Sequence, residues 1–182
     1  MDRRAAQALP SKPGLYAWYF RGLPAPVSTE VCHARGDFCL CYVGVAPQAP
    51  RLGKPPSKTT LRRRILSHHF NGNASASTLR LSLGVLLGLR LRAIGSTGRL
   101  TFGTSEACLS RWIEANARVV VHCFEEPWRI EAGVIAALAT PLNLRDNRTH
   151  GFHATLSAMR QAAKASARRD CPRGEQAATP PC

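Results

Sequence analysis

The sequence has no long apolar run. Its longest apolar stretch, residues 79–91, is interrupted by Arg80, Ser82 and Arg90. A membrane-spanning helix needs about 20 consecutive apolar residues, so this stretch is too short and too charged to cross a bilayer. The first ten residues also lack the apolar centre of a secretory signal. A cytoplasmic protein is therefore expected.

Paired C-x-x-C motifs are also missing, although the chain contains seven cysteines. Cys32, His33, Cys39 and Cys41 fall within ten residues. Cys39 and Cys41 alternate on a predicted strand, however, and this spacing is poor for a zinc site. We expect reduced cysteines that pack as small apolar side chains, and no zinc site.

Acidic residues are scarce. Eleven Asp and Glu stand against 25 Lys and Arg, which gives a formal net charge of +14. Most of the surplus is arginine, whose planar guanidinium suits bidentate contacts to phosphate. Part of this surplus has a simpler origin in a general bias towards arginine and alanine. The charge predicts binding to a polyanion, with nucleic acid first, but it does not predict cleavage.

The pattern of apolar residues predicts an α+β domain. Short apolar and aromatic runs bounded by glycine and proline are typical of strands, and apolar residues three or four apart are typical of helices. Strands are predicted at 14–20, 39–45 and 118–124. Helices are predicted from 61, 79, 105 and 126, with a last basic helix at 155–169. Residues 1–12 are expected to form a loose arm, and residues beyond 170 a disordered tail.

Polar side chains on these elements have ordinary explanations when each is taken singly. Tyr16 and Tyr42 lie inside the first two strands, where a tyrosine commonly packs with its hydroxyl at the rim. Arg64 and His68 are four apart on the first helix and so are predicted to share one face. Glu131 lies one turn into a later helix. Asn143 follows that helix, where a buried asparagine commonly fixes a loop.

The order of these residues is more specific than any of them alone. Gly14-Leu15-Tyr16, Tyr42-Val43-Gly44, Arg64-x-x-x-His68, Glu131 and Pro141-Leu142-Asn143 follow one another along the chain. This order resembles the GIY-YIG nuclease family over residues 13–147. The long connections between the two tyrosines and between Tyr42 and Arg64 are most similar to the restriction-enzyme branch of stand-alone bacterial or phage nucleases.

The resemblance implies a fold and a reaction. The fold would be a small central antiparallel three-stranded sheet flanked by helices. The nuclease domain would span residues 1–155, with 156–182 forming a basic helix and a disordered tail. The reaction would be hydrolysis of DNA phosphodiester bonds with one Mg²⁺ or Mn²⁺ ion. Glu131 would be the sole protein ligand to that hard cation.

The resemblance also implies residue roles. Tyr16 would activate the attacking water, as general base or through a relay with Tyr42 or His68, and its pKa would need to be lowered. Arg64 would bind the scissile phosphate. Asn143 would orient the site from beneath. His69 is an alternative to His68, and spacing by four from Arg64 favours His68.

Several points stay open at this stage. Lys58, Arg62 and Arg63 are candidate DNA contacts, although a basic helix face is often only solvated. A catalytically inactive basic nucleic-acid-binding protein is the alternative to an endonuclease. Restriction, mobile-element and DNA-repair roles all fit a short nuclease. Cutting both strands would require a homodimer on DNA or two successive binding events.

Overall fold

The computed structural model describes residues 8–50, 52–55 and 57–170. Residues 1–7 of the arm predicted at 1–12, and the predicted tail beyond residue 170, lie outside this part of the chain. The described residues form an α+β domain. Its elements are β1 (Gly14–Phe20), β2 (Ala34–Arg35), β3 (Phe38–Ala46), α1 (Leu61–Arg63) with a π-helix directly after it (Arg64–Phe70), α2 (Thr78–Leu86), β4 (Arg92–Ile94), β5 (Arg99–Thr101), α3 (Ser105–Asn116), β6 (Ala117–Cys123), α4 (Trp128–Ala137) and α5 (His153–Arg169).

The main sheet is antiparallel, with strand order β2-β3-β1-β6. Its three long strands are the three predicted ones, so the α+β class and the antiparallel sheet are confirmed. A fourth, two-residue strand at the edge was not predicted. It forms because the chain reverses at Gly36, whose φ of 55° suits a tight hairpin turn, and Arg35 then pairs with Phe38.

The two motif glycines allow close approach within this sheet. Tyr16 on β1 lies opposite Gly44 on β3. A Cβ atom added at Gly44 would lie 2.5 Å from the Tyr16 hydroxyl oxygen, and one added at Gly14 would collide with the backbone of β6 at His122. The absence of a side chain at Gly44 therefore lets the Tyr16 ring lie across the neighbouring strand.

The core lies on both faces of β1. Tyr16, Trp18 and Phe20 occupy alternate positions of β1, so their side chains point to one face of the sheet, where they are fully buried. They belong to a cluster that includes apolar residues of α1, the π-helix, α2 and α3. The fully buried members from these helices are Leu61, Ile65, Leu79, Leu83, Leu109 and Ile113. The other face of the sheet packs against α4, where Ile135 contacts a second, smaller cluster. Helices thus cover both faces and hold β1 rigidly in the middle.

The last helix belongs to this packed domain. Leu156 and Ala167 of α5 are buried in the same cluster as Tyr16. The domain boundary predicted between residues 155 and 156 therefore falls inside α5, because the apolar positions of this basic helix are buried against the domain. No helix in the described part of the chain is long and apolar enough to cross a membrane.

Candidate active site

Two tyrosines form the centre of the site. The rings of Tyr16 on β1 and Tyr42 on β3 are stacked with centroids 6.5 Å apart. They share one face of the sheet, as the sequence predicted. The Tyr42 hydroxyl is 3.1 Å from the hydroxyl of Thr78, the first residue of α2. The Tyr42 ring is therefore held by its stacking on Tyr16 and by this contact to α2.

The Tyr16 hydroxyl joins an arginine and a histidine from the π-helix. Arg64 donates its Nε–H to the Tyr16 oxygen at 3.3 Å, and His69 Nε2 lies 2.9 Å from the same oxygen. His69 Nδ1 lies 2.8 Å from the hydroxyl of Ser77, which also caps α2 by accepting from the backbone of Arg80. A continuous chain of hydrogen bonds thus runs from Arg64 through Tyr16 and His69 to Ser77.

The predicted shared face of Arg64 and His68 does not bring His68 to the Tyr16 hydroxyl beside Arg64. His68 Nδ1 instead lies 3.3 Å from the carbonyl oxygen of Arg63. Spacing by four selects one face of an α-helix, but Arg64–Phe70 is a π-helix, and Asn71 donates to the carbonyl of Leu66 five residues earlier. The wider turn brings residues five apart towards one face. His69, the alternative left open by the sequence, is the histidine at the site.

A buried arginine binds the C-terminal end of the π-helix. Arg80 on α2 is fully buried, and its Nη1 donates to the carbonyl oxygens of His69 at 3.0 Å and Phe70 at 2.8 Å. Its charge is balanced by Glu106 at 2.6 Å. These bonds satisfy carbonyls at the end of the helix, which have no partner within it. Arg80 therefore fixes the end of the π-helix and with it the position of His69.

Glu131 and Tyr42 line a pocket of about 360 Å³. The described lining includes Tyr42, Arg64, Thr78, Glu131, Asn143, Arg145 and Arg160. Glu131 comes from the first turn of α4, and its side chain is only 9% exposed. Its Oε2 accepts from Arg145 at 2.6 Å, and Arg145 also donates to Gln48. One carboxylate and several cations therefore meet in a single pocket.

Asn143 fixes the loop after α4 to β3. Its Oδ1 accepts from the backbone N–H of Val43 at 2.8 Å, and its Nδ2 donates to the Val43 carbonyl at 2.9 Å. Both polar atoms of the amide are thus used on the residue next to Tyr42. Asn143 holds the pocket wall in place, which is the geometry expected for a residue that orients the site.

Burial dominates the electrostatics behind the pocket. It raises the pKa of Tyr16 far above its ordinary value, with Tyr42 adding to the effect and Arg64 opposing it. In the protein alone this pKa is raised rather than lowered, because the effect of burial outweighs that of Arg64. Burial also lowers the pKa of His69 well below 6.5, so its imidazole is neutral at pH 7.

Burial likewise raises the pKa of Glu131, an effect that Arg145 opposes. Since the carboxylate lies in a partly enclosed pocket, its negative charge depends on nearby cations. Arg64 contributes in the same direction as Arg145. The pocket is therefore built to keep one acidic group charged among arginines.

Two arginines of the pocket were missed by sequence reasoning. Arg145 lies two residues after Asn143, and Arg160 lies on α5, outside the predicted catalytic domain. The sequence did contain a signal for each of them. Arg145 lies close to the motif residue Asn143, and Arg160 begins a series of basic residues spaced by four along α5. The predicted DNA contacts Lys58, Arg62 and Arg63 come from α1 and the segment before it, and none of them is among the residues that line the pocket.

No cluster of three or more His, Cys, Asp or Glu side chains arranged to hold a metal ion occurs within the described ranges. The five cysteines in these ranges are unpaired. Cys41 is fully buried and donates its thiol to the carbonyl of Cys39. A divalent ion in the pocket would therefore depend on Glu131 as its acidic ligand.

The site thus brings two tyrosines, an arginine and a carboxylate together beside an antiparallel sheet. The family model described as GIY-YIG catalytic domain matches residues 14–162. The match covers most of the sequence, so the chain belongs to the GIY-YIG family. Searches of curated proteins and of solved structures gave no significant match.

Proposed function

We propose that the protein is a metal-dependent DNA endonuclease that hydrolyses phosphodiester bonds in the pocket between Tyr42 and Glu131. The observation that carries this proposal is that Arg64 and His69 both contact the Tyr16 hydroxyl, which lies beside that pocket. Together they give this buried phenol a cation that favours its charged form and a proton acceptor. The charge of +14 favours a polyanionic substrate.

Arg64 would bind the scissile phosphate. Its Nη1 donates to the carbonyl of Ala76 and its Nε donates to Tyr16, so the guanidinium is held in one orientation at the pocket wall. A fixed guanidinium stabilises charge that develops on a phosphate more effectively than a mobile one, because no reorganisation is needed during the reaction.

Tyr16, His69 and Ser77 would form a proton relay. The neutral His69 tautomer with its proton on Nδ1 donates to Ser77 and leaves Nε2 to accept from the Tyr16 hydroxyl. When the attacking water gives its proton to Tyr16, the phenol passes its own proton to His69. This exchange avoids a free phenolate, which the burial of Tyr16 makes costly, but it leaves an imidazolium on His69, which burial and Arg64 also disfavour. His69 would therefore hold the proton only transiently. Tyr42 lines the pocket and would help to position the water.

Glu131 fits a single hard cation. Its carboxylate faces open pocket volume, and Mg²⁺ and Mn²⁺ are commonly held through one or two carboxylates, with water and phosphate oxygens as the other ligands. The ion would polarise a phosphate oxygen and stabilise the leaving oxygen. Gln48 and Arg145 hold the carboxylate side of the pocket, and Asn143 holds β3 opposite.

The proposal is tested with supercoiled, linear, branched and single-stranded DNA, each incubated with Mg²⁺ and with EDTA. We expect cleavage that requires Mg²⁺ and stops in EDTA. Cleavage at a fixed sequence would favour restriction, and cleavage only at junctions or flaps would favour repair. DNA binding without cleavage of any substrate would support the inactive binding protein instead. Stoichiometry on DNA would show whether a homodimer cuts.

A further inference from the structure

Arg160 is a partly buried guanidinium at the wall of the pocket. It lies on α5 and lines the pocket together with Tyr42, Arg64 and Thr78. Within the described residues it makes one hydrogen bond, from Nη1 to the Ser82 hydroxyl at 3.3 Å, and it has no carboxylate within ion-pair distance. Burial lowers its pKa, but an arginine stays charged at neutral pH.

Arg80 is an arginine with a structural role, and its hydrogen bonds can be compared with those of Arg160. It is fully buried, pairs with Glu106 and donates to three further oxygens, those of His69, Phe70 and Ser110. All of its charge and most of its donors are thus matched within the protein. Arg160, by contrast, leaves most of its five N–H donors without a protein partner. Its environment is that of a group that binds an external anion.

Two further cations continue from Arg160 along α5. Lys164 and Arg168 follow at intervals of four residues, so the three side chains form a basic ridge on one side of the helix. Neighbouring members lie about 6 Å apart along the axis. The pKa of Lys164 is lowered by burial and by both neighbours, which places the three cations close together. The helix sequence contains no acidic residue.

Like charges four residues apart repel each other on a helix, and nothing on α5 offsets them. A ridge of this kind is stabilised when a polyanion lies along it. Because its first member opens into the pocket, the ridge leads away from the site where the scissile phosphate would sit. A nucleic-acid strand that passes through the pocket would therefore continue over α5.

We propose that the basic ridge of α5 binds the DNA strand beside the scissile bond, with Arg160 on a flanking phosphate and Lys164 and Arg168 on the phosphates beyond it. This inference rests on the proposed function, since it takes the DNA in the pocket as given. It assigns substrate orientation to a helix that the sequence placed outside the catalytic domain.

The test uses the full chain and a short fluorescein-labelled DNA duplex in EDTA, with binding measured by anisotropy over a range of salt concentrations. The variants Arg160→Gln, Lys164→Gln and Arg168→Gln should each reduce the slope of log K against log salt by about 0.9, since each removes one phosphate contact. Arg169→Gln is the matched control. Its side chain is exposed and points away from the ridge, nine residues from Arg160, so its slope should equal that of the wild type.

Steady-state nicking in Mg²⁺ gives a second readout. Arg160→Gln should raise KM about tenfold with little change in kcat, because the phosphate that Arg160 binds is not the one that reacts. Arg160→Lys should keep the salt slope, since the charge is preserved. A fall in kcat at unchanged KM would overturn the assignment to a flanking phosphate.

The outcomes separate this inference from the proposed function. A wild-type chain that cuts DNA, with ridge variants whose salt slopes match the wild type or match Arg169→Gln, would overturn the ridge. A wild-type chain that never cuts, but whose salt slope falls in the ridge variants, would overturn the nuclease and leave the ridge supported. Lys164→Gln, at a half-buried surface position, keeps the test valid if Arg160→Gln folds poorly.

Discussion

At the residue scale, the position of His69 decides how Tyr16 can act. A buried phenol with a raised pKa does not ionise by itself near neutral pH. It needs a proton acceptor, and the neutral imidazole of His69 lies 2.9 Å away. Ser77 holds the other ring nitrogen and so fixes the plane of the ring. The relay therefore depends on His69 more than on any special acidity of the tyrosine.

We predict that His69→Gln lowers the nicking rate by about 10²- to 10⁴-fold, the range that general acid–base groups usually contribute. The adjacent variant His68→Gln should cut at close to the wild-type rate, since His68 contacts the backbone of Arg63 rather than Tyr16. Single-turnover nicking of supercoiled DNA measures both. Equal losses in the two variants would show that the imidazole at position 69 has no special role.

The same pair of variants has a stability signature. Because burial lowers the pKa of His69, the unfolded chain gains a proton below about pH 6.5 that the folded chain does not bind. The free energy of unfolding should therefore fall as the pH drops below that value. Urea titrations at several pH values should show a smaller fall in His69→Gln and the wild-type fall in His68→Gln.

At the scale of elements, Gly44 and the π-helix place the catalytic groups. Gly44 leaves room for the Tyr16 ring across β3, and Arg80 holds the π-helix so that Arg64 and His69 both reach the same hydroxyl. The strand and the helix thus set the geometry before any substrate binds. A small shift of the strand or of the π-helix should therefore lower the cleavage rate strongly, because the reacting groups must be aligned.

We predict that Gly44→Ala costs about 1–3 kcal/mol of stability, because its Cβ would overlap the Tyr16 hydroxyl. The nicking rate should fall by about 10²-fold as the ring shifts. Gly133→Ala is the matched control, since a Cβ there meets nothing within 4 Å and its helix should gain about 0.4–1 kcal/mol. Thermal unfolding and nicking assays measure both effects, and full activity in Gly44→Ala would contradict the packing argument.

The elements of the fold could be predicted because their signals are local. Strands β1, β3 and β6 carry apolar runs between breakers, and Thr60 and Ser77 cap the helices that follow them. The π-helix could not be predicted, because residue spacing alone does not distinguish it from an α-helix. Arg80, which binds its C-terminal carbonyls, also lies in another helix. The contacts of Arg145 and Arg160 with the pocket likewise depend on how distant segments pack.

The motif residues were predictable as a set, but not all of their contacts were. Tyr42 and Glu131 line one pocket, and Tyr16 lies beside Tyr42, because β1, β3 and α4 pack as their patterns indicated. The identity of the histidine depended on helix type, which residue spacing alone does not reveal. The buried state of Tyr16 depended on α1 and α2 covering that face of the sheet.

At the scale of the whole molecule, the net charge of +14 and the single carboxylate of the described pocket lining have complementary roles in the proposed function. Arginines attract and hold a polyanion, and Glu131 is the one acid that the described pocket lining offers to a metal ion. The roles of binding and cutting are therefore carried by different residues. Loss of Glu131 should stop cleavage and leave the electrostatic attraction to DNA intact.

The most direct measurement compares wild type and Glu131→Gln for nicking of supercoiled DNA in Mg²⁺, with DNA binding followed over a range of salt. This near-isosteric change removes the charge of the carboxylate and keeps its size. We predict that nicking falls by about 10³-fold or more, while binding and its salt dependence stay close to wild type. A Glu131→Gln protein that nicks as fast as the wild type would contradict the account.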